Sequence, residues 1–255
     1  MAYFSGQGRV YLAQRDANGN ALDLRWVGNV PDLKISLAVE KTEHKESSSG
    51  QRLTDFELIT GKSGELTCTL ETFSQENLEL VLYGVSQSVA VGDVEDEPLA
   101  VGMVAGSLRL LAHQFVSAVT VEDSTPGTPL VLPTTQYKVH GPQGAVELLD
   151  GITGGPYVQP FKVSYTRGAA QRLAMFRGAQ PQLWLRFDGV NTADGNKRVV
   201  VDLYKVSVDP TKDLSLIGTE VQKFELVGKV LADTDKDADG EFGQFGRVIQ
   251  QPAAA

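Results

Sequence analysis

Asp32–Gly84 reads DLKISLAVEKTEHKESSSGQRLTDFELITGKSGELTCTLETFSQENLELVLYG, and its reading decides the fold. Leu33, Ile35, Leu37 and Val39 alternate with Lys34, Ser36, Ala38 and Glu40. Leu66, Cys68 and Leu70 alternate with Glu65, Thr67, Thr69 and Glu71. A period of two means strands with one buried face and one wet face. The stretch therefore predicts a strand over Asp32–Lys41, a long polar loop over Thr42–Gly61, and a strand over Glu65–Glu71. A loop of that length is far more than a tight hairpin needs, and long loops in compact domains tend to be functional.

A helix over Ser74–Tyr83 follows. Ser74 suits the N-cap, Phe73 and Leu78 the two halves of a hydrophobic staple, and Gly84 the terminating position. Leu78, Val81 and Leu82 share its expected buried face. Outside this helix the chain reads as strands divided by turns. Expected strands are Gly8–Gln14, Ala21–Val27, Ser107–Phe115, Ser117–Glu122, Thr135–His140, Ala145–Leu149, Phe161–Thr166, Leu173–Phe176, Gln182–Phe187, Arg198–Val208 and Glu220–Leu231. Residues 85–100 read as a polar loop. The expected class is mainly β, a β-sandwich or barrel with one flanking α-helix and a long inter-strand loop, formed as a single domain over 1–255. The C-terminal Gln251–Ala255 is expected to fray.

The chain has 255 residues and a formal net charge of −9. That acidity argues against adhesive binding of nucleic acid, which depends on Lys and Arg neutralising phosphates. Cys68 is the single cysteine, so no internal disulfide is available, and its place on the apolar face makes it a small core residue. No signal-like leader is seen at the N-terminus, and no apolar run reaches membrane-helix length, so no membrane insertion is expected. His44, His113 and His140 lack metal-ligand spacing. There is no Gly-x-Ser-x-Gly, phosphate loop or Gly-x-Gly-x-x-Gly. Asp233, Asp235, Asp237 and Asp239 alternate like a calcium loop, but Gln244 or Gly246 stands where the bidentate Glu belongs, and the reading becomes an acidic turn. No catalytic residue, metal site or cofactor is expected. Trp26 and Trp184 both read as core-facing, which argues against a carbohydrate-binding or hydrolytic β-sandwich with an aromatic platform.

The order of elements in Gly8–Ala13, Trp26–Ser36, Glu43–Arg52, Glu65–Glu71 and Ser74–Gly84 resembles the N-terminal part of the major tail tube proteins of long, non-contractile-tailed bacteriophages. The resemblance covers roughly residues 1–84. It implies a virion structural protein, assembled in the host cytoplasm, whose β-sandwich forms hexameric rings stacked into a tube. DNA and the tape-measure protein occupy the lumen, and tail-tip and tail-terminator proteins are further partners. On this reading Thr42–Gly61 becomes an arm reaching the adjacent ring, with contacts through Glu43, His44, Lys45, Glu46, Ser49, Gln51 and Arg52. Glu40, Glu65 and Glu71 become lumen-lining carboxylates that repel DNA phosphates. Residues of about 85–160 become a family-variable elaboration. A tube-forming protein of a contractile injection or type VI secretion system is the alternative with the same architecture.

Overall fold

The computed structural model describes residues 3–150 and 153–252. In chain order the strands begin with β1 (Gly6–Gln14), β2 (Arg25–Trp26), β3 (Asp32–Lys45) and β4 (Thr54–Leu70), followed by helix α1 (Gln75–Leu82). Next come β5 (Val85–Val89), β6 (Gly92–Pro98), β7 (Leu108–Leu110), β8 (Ser117–Glu122), β9 (Tyr137–His140), β10 (Ala145–Leu148), β11 (Lys162–Arg167) and β12 (Ala170–Ala174). The last are β13 (Gln182–Asn191), β14 (Lys197–Asp209), β15 (Phe224–Val230) and β16 (Gly246–Gln250). The protein is mainly β with one short helix, as its alternating pattern predicts, and its sheets are open rather than closed into a barrel.

The chain divides into two compact units. Unit 1 joins the residues up to Val85 to those from Ala174 onward, and unit 2 is the continuous segment Ser86–Leu173. Unit 1 is built on an antiparallel sheet in the order β2-β1-β13-β14-β15-β4-β3, with β16 beside β14. β15 pairs with Val206–Asp209 of β14, and β16 pairs with Val199–Leu203, so two strands share one edge of β14. Leu66, Leu70, Val81, Leu185, Tyr204, Val206, Val208 and Leu226 are at most 1 % exposed and form the centre of this unit. Cys68 is buried among them, and burial pushes its thiol up to about 12, consistent with a packing role.

Helix α1 begins as its sequence predicts, with the Ser74 hydroxyl accepting from the Asn77 amide at 3.2 Å. It ends differently. Tyr83 rather than Gly84 takes the left-handed conformation, at φ 48°, and the Gly84 amide then reaches the Glu79 carbonyl. The Tyr83 hydroxyl donates to the Val208 carbonyl at 2.5 Å, an anchor that a glycine there lacks. The buried face is also rotated from the expected one. Leu80, Val81 and Leu82 are buried while Leu78 is only half-buried, and polar Asn77 is as enclosed as Val81, at 0 % exposure. Phe73 turns instead to Phe224, in an edge contact 5.0 Å between centroids.

Asn77 is buried because it is fully used. Its Nδ2 donates to the carbonyls of Val27 and Thr72 at 2.8 and 2.9 Å, and its Oδ1 accepts from Arg25 at 2.7 Å. Asn77→Leu strands two carbonyls and a half-buried guanidinium, so we expect a loss of about 2–4 kcal/mol, read as a lowered urea midpoint. Val81→Asp is expected to be worse than Leu78→Asp, because Val81 is the one fully enclosed.

Unit 2 holds two three-stranded antiparallel sheets, β6-β11-β8 and β7-β10-β9, and the pair β12-β5. Leu111, Val121, Leu132, Val146, Leu148, Phe161, Val163 and Tyr165 belong to its core cluster. Here the sequence reading needs its largest revision. Residues 85–100, expected as a polar loop, form β5 and β6. Gly92-Asp93-Val94-Glu95-Asp96-Glu97-Pro98 is acidic because most of its residues face water, while its backbone is paired with β11. Fully buried Asp123 closes the Thr125–Pro129 turn. Its carboxylate accepts from the amides of Thr125, Leu130 and Val158, and from the Thr125 hydroxyl at 2.5 Å. Burial raises the carboxyl, but these bonds outweigh it and hold the group well below the usual carboxylate range.

Candidate assembly surface

The long charged loop expected over Thr42–Gly61 is largely strand. β3 and β4 pair continuously from Asp32↔Thr69 to Lys45↔Thr54, with bulges between Glu40 and Lys41 and between His44 and Lys45. Both faces of this hairpin meet water, so polar residues fill most of its positions and only a short apolar alternation at Phe56 and Leu58 marks it. β15 covers β4 only as far as Gly64. Beyond Gly64 the two strands continue alone, a projection of roughly 25 Å at ~3.3 Å per residue. The bulges add local twist, which suits a two-stranded ribbon.

Register places the expected contact residues along this ribbon and its tip. Glu43 stands across from Glu57 and accepts the Thr54 hydroxyl at 3.2 Å, and His44 meets Asp55 at 2.6 Å. Lys41 pairs with Glu57 at 2.5 Å. Lys45 ends β3, while Ser49 and Gln51 lie in the tip with Arg52, whose φ is 52°. Glu46 organises that tip. Its carboxylate accepts from the amides of Ser48 and Ser49 at 2.7 and 2.8 Å and from both serine hydroxyls. Its own amide donates to the Leu53 carbonyl. Hydrogen bonds from Ser49 and then Ser48 draw the Glu46 carboxyl down to about 2.

Because that value is depressed, the ordering of the tip by Glu46 is complete above about pH 4.5 and fades as pH falls toward 2. Glu46→Gln is expected to speed amide exchange at Ser48 and Ser49 near neutral pH while leaving exchange along β3 and β4 unchanged. Equal acceleration along the whole hairpin would show that the carboxylate supports the ribbon rather than the tip.

The sequence missed an exposed apolar set on this ribbon. Leu53, Phe56, Leu58 and Ile59 are 56, 60, 53 and 53 % exposed, and Leu37 and Val39 on β3 are 77 and 49 %. Phe56-Glu57-Leu58 does alternate, a signal that was absorbed into the presumed loop. Cross-strand register puts Leu33, Ile35, Leu37 and Val39 on the face of Cys68 and Leu66, so the core face of the sheet runs out uncovered along β3. β3 is also an edge strand, with no strand paired on its outer side among the described residues.

The opposite face is polar at Lys34, Ser36 and Glu40, but farther out the register Thr42↔Leu58 and His44↔Phe56 carries two exposed apolar side chains onto it. Register sets Glu65 beside Ser36 and Lys229, and alternation along β3 sets Glu40 on the same face. Glu71 continues that alternation just past β4. It is tied to Lys223 at 3.1 Å and to the Asn29 amide group at 2.5 Å, which together pull its carboxyl down. The structure therefore brings all three expected lumen carboxylates to one face. Lys34 shares that face and is neutralised by Asp32 at 2.8 Å.

Elsewhere the aspartates of 233–240 are not arranged as a cation loop. Asp233 is buried and turned to Arg15 at 2.7 Å. Among the described residues no group of three or more His, Cys, Asp or Glu is placed to hold a metal ion. Trp26, expected in the core, is 51 % exposed with Arg9 over its ring at 5.2 Å, because β2 is a two-residue edge strand rather than the longer strand expected over Ala21–Val27. Trp184 is half-buried against Tyr204. An open groove of about 560 Å³ flanks α1, its lining including Leu12, Leu80 and Leu183 with Arg25, Glu76 and Glu79. Gln251 is bonded to Arg198, and Ala253–Ala255 of the expected frayed tail lie outside the described residues. A family model described as Protein of unknown function UCP028589 matches residues 3–249. No curated protein matches the chain.

Proposed function

The chain belongs to that family of proteins of unknown function, and from this starting point we propose that it is a tube-forming structural subunit, the tail tube protein of a long-tailed bacteriophage. The observation that carries the reading is the β3–β4 ribbon. It is a long, pre-ordered projection with exposed apolar side chains on both faces and an open edge, which water does not favour and neighbouring subunits would cover. An edge strand at one side of a sheet and a different edge at the other side suit head-to-tail contact, and such contact closes into rings or runs on as filaments. In this reading the ribbon reaches the adjacent ring, and the face bearing Glu40, Glu65 and Glu71 lines the lumen through which DNA slides past the space held by the tape-measure protein.

The test is negative-stain electron microscopy of the purified protein at high concentration, alone and with an isolated tail-tip complex. Tubes or six-fold rings in either sample support the proposal. Monomers in both samples overturn it.

A further inference from the structure

In unit 2, His113 lies in the bend that follows β7. The bend is fixed on several sides. Leu111 donates to the Gly144 carbonyl at 2.8 Å, Ala112 to Glu97 Oε1 at 2.7 Å, and Val116 to the Gly141 carbonyl at 2.9 Å. The Phe115 carbonyl accepts from Gly168 at 3.0 Å. The imidazole sits beside the Tyr165 ring, 6.3 Å between centroids. Two arginines converge on it. Arg172, on β12, places Nη2 at 2.8 Å from both the Ala112 carbonyl and His113 Nδ1. Arg167, at the end of β11, places Nη1 at 3.4 Å from His113 Nε2.

A guanidinium only donates, and a neutral imidazole has one donor and one acceptor. The shorter contact, to Arg172, makes Nδ1 the acceptor and puts the proton on Nε2. The Nε2 proton and Arg167 Nη1 then stand side by side as two donors with no acceptor between them. Arg167 Nε is buried and has no partner either. Among the described residues neither arginine forms an ion pair with a carboxylate. The Glu97 oxygens are engaged by the Tyr165 hydroxyl at 2.5 Å and by the Ala112 amide. Burial, then Arg172 and Arg167, hold the His113 imidazole below its ordinary value of 6.5, against a smaller opposing pull from Glu97. Buried donors without acceptors are costly and uncommon.

We propose that His113 and Arg167, braced by Arg172, form a binding site for a small tetrahedral oxyanion of the phosphate class. One oxygen would accept from both His113 Nε2 and Arg167 Nη1. Binding would tie the 111–116 bend to β11 and stabilise unit 2 by mass action. The proposal rests on unit 2 alone and does not depend on the tube reading.

The test is a proton NMR titration of the three histidines of the full chain in inorganic phosphate, against chloride at equal ionic strength. Phosphate offsets the positive field on His113, so its titration midpoint is expected to rise while those of His44 and His140 stay in place. Arg167→Gln is expected to weaken phosphate binding about tenfold or more. Arg167→Lys, which keeps the charge but loses the guanidinium donor facing His113 Nε2, serves as the second variant if Arg167→Gln fails to fold, and it too should bind more weakly. Dimethyl phosphate, run in parallel, stands for a nucleic-acid diester. Equal potency assigns the site to diesters, and a response to inorganic phosphate alone assigns it to the free dianion. An unmoved His113 in both ligands overturns the proposal, as does an undiminished response in the folded arginine variants.

Discussion

A chain in which residues 41–60 are replaced by Asn-Gly is expected to fold as the parent does and to form no tubes. The cut falls where Glu40 pairs with Gly61, so a two-residue turn of the type favoured in hairpins closes the shortened ribbon in register. Apart from half-buried Glu46, every residue removed is exposed, and β15 contacts none of them. The loss of folding stability is therefore expected to stay within about 1 kcal/mol, a shift of only a few degrees in thermal midpoint. Assembly is another matter, because Leu53, Phe56, Leu58 and Ile59, which would supply apolar contact area in the proposed tube, go with the cut. Sedimentation velocity and electron microscopy separate the two readouts. Normal tubes from the shortened chain would refute the ribbon's role outright, and a misfolded product would show that the ribbon supports the sheet.

The second large effect concerns folding. Asp202 is fully buried on β14, where it accepts from Arg186 at 2.6 and 2.9 Å and from Arg247 at 3.0 Å. One carboxylate thereby ties β13, β14 and β16 together. Asp202→Ala leaves two guanidiniums facing each other across a vacated site. Breaking such a buried cluster costs about 3–5 kcal/mol, and the partial exposure of the arginines places the expectation near the lower end. The shift in thermal midpoint is expected to be roughly 10 °C. Burial raises the Asp202 carboxyl, but hydrogen bonds from Arg186 and Arg247 more than reverse this and leave it below its ordinary 3.8. Its contribution is thus complete above about pH 4 and declines as pH falls through the folded value. Urea midpoints measured across acid pH should converge for the parent and Asp202→Ala. A constant gap between them would mean that the carboxyl does not titrate with unfolding.

The physical reasons for what the sequence revealed are uneven. Alternation at 65–71 was legible because one face of β4 meets a core there, and at 32–39 because β3 carries on that apolar face, although from Ile35 outward that face is exposed; Ser74 was legible because capping is local chemistry. Tyr83 was not, since its left-handed turn is held by a carbonyl 125 positions away. Asn77 was invisible for the same reason, as its carbonyl partner Val27 lies on a different segment. β5 and β6 were missed because their solvent-facing residues write no apolar pattern. The candidate surface was half legible. Its charged residues fell on the hairpin as expected, and its apolar residues were hidden inside a segment taken for a loop.

The division of the chain also sets an order of events during synthesis. Unit 2 is one unbroken segment, complete once Leu173 has been made, and its outer strands β5 and β12 already pair with each other. β1 must wait for β13, which begins at Gln182, and β4 must wait for β15, which begins at Phe224. Domains fold as units while the chain is still being extended, and distant pairings form last. The ribbon's apolar stripe and the unfinished sheet beside it are thus exposed together on the ribosome, with a folded unit 2 between them and the strands still to come. A ribosome stalled once Leu173 has cleared the exit tunnel should carry a protease-resistant unit 2 and a protease-sensitive β1–β4 segment.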